Sequence, residues 1–231
     1  MRKTILFLLL FLVSTSPIHS QTASVSSKTD LKTALQSKLE EWHKAASFPG
    51  ATLGVVFANG ESFGLAVGFS DRETKTLMKP SDRMLAGSVG KTFAAATALQ
   101  LIKEGKIGLD DKIEKYLGRE PWFSRLPNAK DITVRQLMNH TSGLVRYEFK
   151  DEFTKDLTAN PQKTWKPAEL LSYLLDEKPP FKAGGGWDYS DTNYIVLGMI
   201  IEKVTGRKFY DEANRRLLKP LKLNDTIPQD G

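Results

Sequence analysis

Ala51-Thr52-Leu53-Gly54-Val55-Val56-Phe57, Ala58-Asn59-Gly60-Glu61 and Ser62-Phe63-Gly64-Leu65-Ala66-Val67 are the residues whose reading decides the fold class. Two apolar, β-prone runs on either side of Asn59-Gly60 are the pattern of an antiparallel hairpin, because a tight reversal needs residues that tolerate positive φ. Just upstream, Leu31, Leu35, Leu39 and Trp42 recur at helical spacing, which predicts a helix to about Ala46, stopped by Pro49-Gly50. A helix followed by a hairpin argues against a doubly wound parallel sheet, and so against a dinucleotide-binding fold. Downstream, residues 88–104 are alanine-rich and apolar nearly all round, which predicts a helix buried on most sides and ended by Gly105. Further helices are predicted over 134–139, 167–176, 193–204 (closed by Thr205-Gly206) and 209–218, with loops rich in Pro, Gly and Trp at 119–130 and 179–187. No further strand is predicted. The expected class is α+β, an antiparallel sheet flanked by helices. Two strands make no stable sheet alone, so the sheet is expected to be incomplete in this chain.

Composition narrows the chemistry. With 231 residues, 40% apolar and 26% charged, the chain reads as globular. It has no cysteine, which removes disulfides, a thiol nucleophile and a thiolate zinc site. Its three histidines, His19, His43 and His140, are too few for a multi-histidine metal centre. Neither a metal nor an organic cofactor is implied. The net charge of +6 falls to +4 once Arg2 and Lys3 of the leader are set aside, and bases alternate with acids, as in Lys103-Glu104-Gly105-Lys106. Nucleic-acid binding is therefore not expected; a looser attraction to an anionic wall polymer stays open.

Residues 1–20 read as an export signal: Arg2-Lys3, the apolar run 5–13, Ser14-Thr15-Ser16-Pro17, and Ser20 before Gln21. Nine apolar residues are too few to span a bilayer, so the mature protein is expected to be secreted or periplasmic, with no stable membrane insertion. A polar linker is expected over 21–30 and the N-terminal portion of one domain over 31–231.

Ser88 is the one serine with a lysine three positions later, Lys91. One helical turn brings both side chains to one face at the start of a helix. A serine hydroxyl attacks only when a base takes its proton, and a lysine serves only as the neutral amine. Burial and the positive helix end would lower the Lys91 pKa, and the backbone N–H groups there could hold an oxyanion. The bland alternative is a cap serine followed by a surface lysine; the apolar neighbours Val89, Phe93 and Leu99 weigh against it. Ala86-Gly87-Ser88-Val89-Gly90 also fits the nucleophile elbow of α/β-hydrolases, with alanine for the first glycine. That reading ranks lower, since the elbow needs a strand before the serine and residues 80–84 are polar and turn-like. His140, between Asn139 and Gly143, reads as a hydrogen-bonded loop residue.

Ala86-Gly87-Ser88-Val89-Gly90-Lys91-Thr92-Phe93, followed by Gly105-Lys106-Ile107-Gly108-Leu109-Asp110-Asp111-Lys112, by Leu137-Met138-Asn139-His140-Thr141-Ser142-Gly143-Leu144 and by residues 187–198 beginning Trp187-Asp188-Tyr189-Ser190-Asp191, resembles the class C β-lactamase-related serine hydrolases. That group includes D-Ala-D-Ala carboxypeptidases of the penicillin-binding type and esterases, and the likeness covers about 31–227. The resemblance implies a β-lactamase/transpeptidase-like fold with a helical subdomain over about 92–208 and a cleft between sheet and helices. It also implies a small-molecule or peptide substrate, whether β-lactam, D-amino-acid peptide or simple ester. In its terms Ser88 is the acylated nucleophile, Lys91 its proton partner and Tyr189 the phenol that relays or accepts a proton. Asp191 replaces the usual asparagine. A carboxylate there favours the ammonium form of Lys91 and shifts the work of the base toward Tyr189, unless Asp191 is itself neutral. The family's third motif, Lys or His before Thr-Gly on a strand, has no match here, so the chain is read as the N-terminal portion of such a hydrolase. The alternative is a noncatalytic protein that binds wall peptides in a degenerate pocket.

Overall fold

The computed structural model describes residues 28–228, and the run read as an export signal lies outside them. The described chain divides into two units, one ending at Asp82 and one beginning at Arg83.

In the first unit, helix α1 (Lys28–Ala46) is followed by strands β1 (Gly50–Val56), β2 (Ser62–Asp71) and β3 (Thr76–Leu77) in the order β1-β2-β3, all antiparallel. The helix starts at Lys28, so the last residues of the expected linker form its first turn. Of its predicted apolar stripe Leu39 is buried, while Trp42 is 60% exposed. Helix α1 lies against β2, where the Gln36 amide donates to the Ala66 carbonyl at 3.3 Å. The hairpin pairs Gly50 with Gly68 through Val56 with Ser62, as the alternating apolar runs predict. Its reversal is one residue longer than a two-residue turn. The Phe57 amide donates to Glu61 and the Gly60 amide to Phe57, and positive φ falls on Gly60 (φ 85) but not on Asn59. This is the three-residue loop in which a left-handed glycine follows an ordinary turn. At the hairpin base Gly68 (φ 76) admits no side chain, because a Cβ there would stand 2.4 Å from the Pro49 carbonyl oxygen. The sequence reading missed β3, whose two residues carry no alternating pattern. It is set by an Asx turn in which Asp71 Oδ1 accepts the amides of Glu73 and Thr74.

The second unit is helical and built around α7 (Thr192–Thr205), whose Val196, Leu197, Ile200 and Ile201 are fully buried. Against α7 pack α2 (Gly90–Lys103), α3 (Glu114–Leu117), α4 (Val134–Met138), α6 (Pro167–Ser172) and α8 (Phe209–Ala213), with α5 (Asp151–Ala159) outside that set of contacts. Each large aliphatic side chain buried here contributes roughly 2 kcal/mol. The alanines of α2 place its backbone close to its neighbours. Ala98 and Leu101 are fully buried, but Val89 and Leu99 are 64% and 51% exposed, so α2 is less enclosed than its composition predicts. Helix α4 starts on a capping box: Thr133 Oγ1 accepts the Gln136 amide, and Gln136 Oε1 accepts the Thr133 amide. Gly206 (φ 68) ends α7 as read from the sequence. The helix expected over 167–176 stops at Ser172, and that over 209–218 changes after Ala213 into one π-helical turn, Asn214–Leu218. Helices α3 and α5 were not expected. The first is a single turn, and the second offers Phe153 and Leu157 as its apolar pair among polar, exposed residues.

Candidate active site

Ser88 sits in a 3-10 turn, Gly87–Val89, that runs into α2. Gly87 has φ 52, a left-handed conformation that favours glycine and turns the chain sharply just before the serine. Residues 78–86 ahead of it form no strand, so the nucleophile-elbow geometry is absent. The tight turn puts residues three apart on one side. Lys91 Nζ donates to Ser88 Oγ at 3.2 Å, and the Tyr189 hydroxyl donates to the same oxygen at 2.7 Å. Lys91 and Tyr189, far apart in the chain, thus meet at one exposed hydroxyl. The amides of Val89 and Gly90 bond back to carbonyls of residues 86–88, so these two are engaged within the turn.

Tyr189 is held from behind. The His140 ring stacks on it with centroids 4.4 Å apart, and Trp187 meets His140 edge-on at 6.3 Å. His140 has φ 62, and its carbonyl accepts the Asp188 amide. Its Nδ1 accepts the Ser190 amide at 3.2 Å and lies 3.1 Å from Asn193 Nδ2, so the neutral ring carries its proton on Nε2. Burial, and then the charge of Lys91, pulls the His140 pKa below its ordinary value. Beneath this loop, Ser142, Ser190, Thr192 and Asn193 are fully buried and satisfied. Ser142 Oγ donates to Asn193 Oδ1 at 2.5 Å, and Ser190 and Thr192 both donate to the Val145 carbonyl. A buried polar network of this kind admits few alternative arrangements, which makes it a rigid seat for Tyr189.

Asp191 occupies the N-cap of α7, where the helix dipole favours a carboxylate. Its Oδ1 pairs with Lys91 Nζ and its Oδ2 accepts from Arg146 Nη2 at 3.3 Å. Burial pulls the Lys91 amine down, as expected from sequence. The hydrogen bond to Asp191 and then the contact with Tyr189 outweigh it, and the pKa is raised above the ordinary lysine value. The expectation of a lowered Lys91 pKa is therefore overturned by the carboxylate at position 191. Asp191 itself is burdened by burial, but Glu148 and the two cations bring it below the usual carboxylate range, so it is not the neutral acid.

All four residues singled out from the sequence, Ser88, Lys91, Tyr189 and Asp191, come together. Arg146 and Glu148 join them and were missed. Arg146 Nε donates to Glu148 Oε1 at 2.7 Å, and its guanidinium lies 5.3 Å from the Tyr189 ring centroid and 4.1 Å from that of Phe149. In the sequence these are two charges among many; their place just after Ser142-Gly143-Leu144 was the available signal. No helix among the described residues is long and apolar enough to cross a membrane.

Known proteins carry the same arrangement of chain. The family described as Beta-lactamase matches residues 35–227. The teichoic acid D-alanine hydrolase of Staphylococcus aureus is 30% identical over 197 residues, covering 84% of this chain and 44% of that protein. Protein flp of Staphylococcus aureus (strain MW2) is 28% identical over 203 residues, covering 87% of this chain and 38% of that one. Among solved structures, a D-stereospecific amidohydrolase from Streptomyces sp. superposes with a TM-score of 0.71 at 33% identity, over 82% of this chain and 55% of the other. The D-amino acid amidase from Ochrobactrum anthropi SV3 superposes with a TM-score of 0.70 at 26% identity, over 85% and 53%. The chain thus spans about half the length of the solved relatives and less of the curated ones. The match takes in most of the chain, including the turn that carries Ser88 and the segment that carries Tyr189 and Asp191; the protein belongs to the beta-lactamase family.

Proposed function

We propose that the protein is an exported serine hydrolase that acts by acyl transfer on D-aminoacyl amides or esters. The convergence of Lys91 and Tyr189 on the Ser88 hydroxyl carries this reading. The similarity to a teichoic acid D-alanine hydrolase, a D-stereospecific amidohydrolase and a D-amino acid amidase supports the substrate class. The leader-like residues 1–20 support export.

Both neighbours of Ser88 donate in the resting arrangement, so one proton must leave before attack. Losing it from Lys91 is opposed by Asp191, which leaves the phenol of Tyr189 as the group that gives up its proton and then accepts that of Ser88. The ammonium of Lys91 lies 4.9 Å from the Tyr189 ring centroid, so its charge faces the site of proton transfer. Ser88 Oγ then bonds to the carbonyl carbon, its proton passes to Tyr189, and the carbonyl electrons move to oxygen. Collapse breaks the bond to the amine or alkoxide, which takes the proton from Tyr189. Water repeats the sequence on the acyl-enzyme and releases the acid. A second reading, binding without turnover, is favoured by the ammonium state of Lys91.

A fluorophosphonate probe and D-alanine p-nitroanilide separate the two. The hydrolase reading expects stoichiometric labelling and turnover, with labelling lost in S88A and kcat down on the order of 10^6-fold. A folded wild-type chain that neither labels nor turns over overturns it.

A further inference from the structure

Glu148 presents an unusual pattern of contacts. One oxygen, Oε1, accepts from Arg146 Nε at 2.7 Å; the other, Oε2, is buried and meets no donor. Yet the same guanidinium gathers the Asp191 carboxyl beside it, since Arg146 Nη2 donates to Asp191 Oδ2 at 3.3 Å. Two carboxylates do not hydrogen-bond unless one carries a proton, and a buried oxygen without a donor is costly unless it is itself the donor. Asp191 already has two cations, Lys91 on Oδ1 and Arg146 on Oδ2, which hold it ionised. Glu148 has one cation partner, Arg146.

We propose that Glu148 and Asp191 share one proton, carried by Glu148 and donated to Asp191, and that this pair is a positioning device that limits the negative charge facing Lys91. The proposal rests on the acyl-transfer reading for its catalytic consequence, but the shared proton itself does not. The charged and titratable groups gathered with Glu148 are Arg146 and Tyr147 on its own segment, Asp191 at the start of α7, and Lys91 of α2 through its pair with Asp191. Burial, then the contact with Asp191, pushes the Glu148 carboxyl above the usual glutamate range, and the same contact pushes Asp191 down. The buried, unpartnered Oε2 and the one cation on Glu148, against two on Asp191, assign the proton to Glu148. With Glu148 neutral, Lys91 and Arg146 face one anion, and the surplus positive charge favours an oxyanion on the substrate. As pH rises through its titration, Glu148 adds a second anion and the ammonium of Lys91 is held more tightly.

The direct test is a carboxyl carbon-13 NMR titration of the full chain, with the Glu148 resonance assigned from E148Q. The proposal expects Glu148 to titrate above an ordinary glutamate, and D191N to bring it back down. An ordinary or lowered Glu148 titration in the wild type overturns it, whether or not E148Q folds. The second measurement is the pH dependence of fluorophosphonate labelling at Ser88. E148Q should lose one ionisation from the profile and move the alkaline limb to lower pH, and should keep more of the labelling rate than E148A, since an amide can still donate to Asp191. A profile identical to wild type in E148Q overturns the positioning role. Absence of any labelling with a raised Glu148 titration would instead sink the hydrolase reading and leave the proton pair standing.

Discussion

Lys91 is the residue where local and tertiary effects pull in opposite directions. A half-buried amine at a helix start should lose its proton easily. Its partner at position 191 is a carboxylate, and that ion pair decides the sign. A group whose charged form is stabilised gives up its proton at higher pH, so the activity of an enzyme that must deprotonate this cluster rises toward the alkaline side. Replacing Asp191 with asparagine removes the anion but keeps a hydrogen-bonding side chain of the same shape. D191N should therefore move the ascending limb of the kcat/KM profile to lower pH, which a pH-rate series with D-alanine p-nitroanilide will measure; a limb that stays in place would remove Asp191 from the tuning of Lys91. His140 teaches a related lesson. Read as a loop residue, it is one, but its ring is also the surface on which Tyr189 rests.

At the scale of elements, the end of α2 is tied to the π-helical turn 214–218 by a charge network with a buried centre. Arg216 is 7% exposed and donates through Nε to Glu212 Oε2 at 2.6 Å; its other nitrogens reach Glu104, next to the end of α2. Glu212 is 1% exposed, so removing Arg216 leaves it with the more exposed Arg215 and Arg207. R216A should cost about 3 kcal/mol in urea denaturation at neutral pH, because an inadequately compensated buried carboxylate remains. The pH dependence has a definite sign. The side-chain hydrogen bonds of Arg216 and then Lys106 lower Glu104 from 4.5 to about 2. Stability from a depressed carboxylate is present above its unfolded pKa and is lost as pH falls through the folded one. The gap between wild type and R216A should accordingly narrow between about pH 4.5 and pH 2. A constant gap over that range would show that Glu104 plays no part.

Across the whole molecule, the helical unit depends on one central element. Ile200 of α7 is completely buried within the cluster that also holds Leu101, Ile132, Leu137 and Leu171. Ile200→Ala leaves a cavity that such a packed cluster closes poorly and should cost about 3 to 4 kcal/mol. Trp42→Ala, at a 60% exposed position, should cost less than about 1 kcal/mol despite the larger side chain. Thermal or urea unfolding followed by circular dichroism checks the contrast, and equal losses would contradict it.

Much of this was legible in the residues. Apolar periodicity and turn chemistry act over a few positions, so the hairpin, α1, α2, α7 and the Gly206 stop could be read directly, as could the meeting of Ser88 and Lys91 one turn apart. Short-range patterns also explain what was misread: β3, α3 and α5 are too short or too polar to show a period, and the extra residue in the Asn59-Gly60 reversal depends on how the flanking strands pair. The sequence by itself determined the α+β class, the family likeness and which four residues to watch. Tertiary structure alone decided that Arg146 and Glu148 belong with them and that His140 backs Tyr189, and it set the Asp191 carboxylate against Lys91, the contact that favours the ammonium. The physical reason is range: propensity is local, whereas the proton affinity of an amine follows from whichever charges the folded chain brings within a few ångströms, here from a residue one hundred positions away.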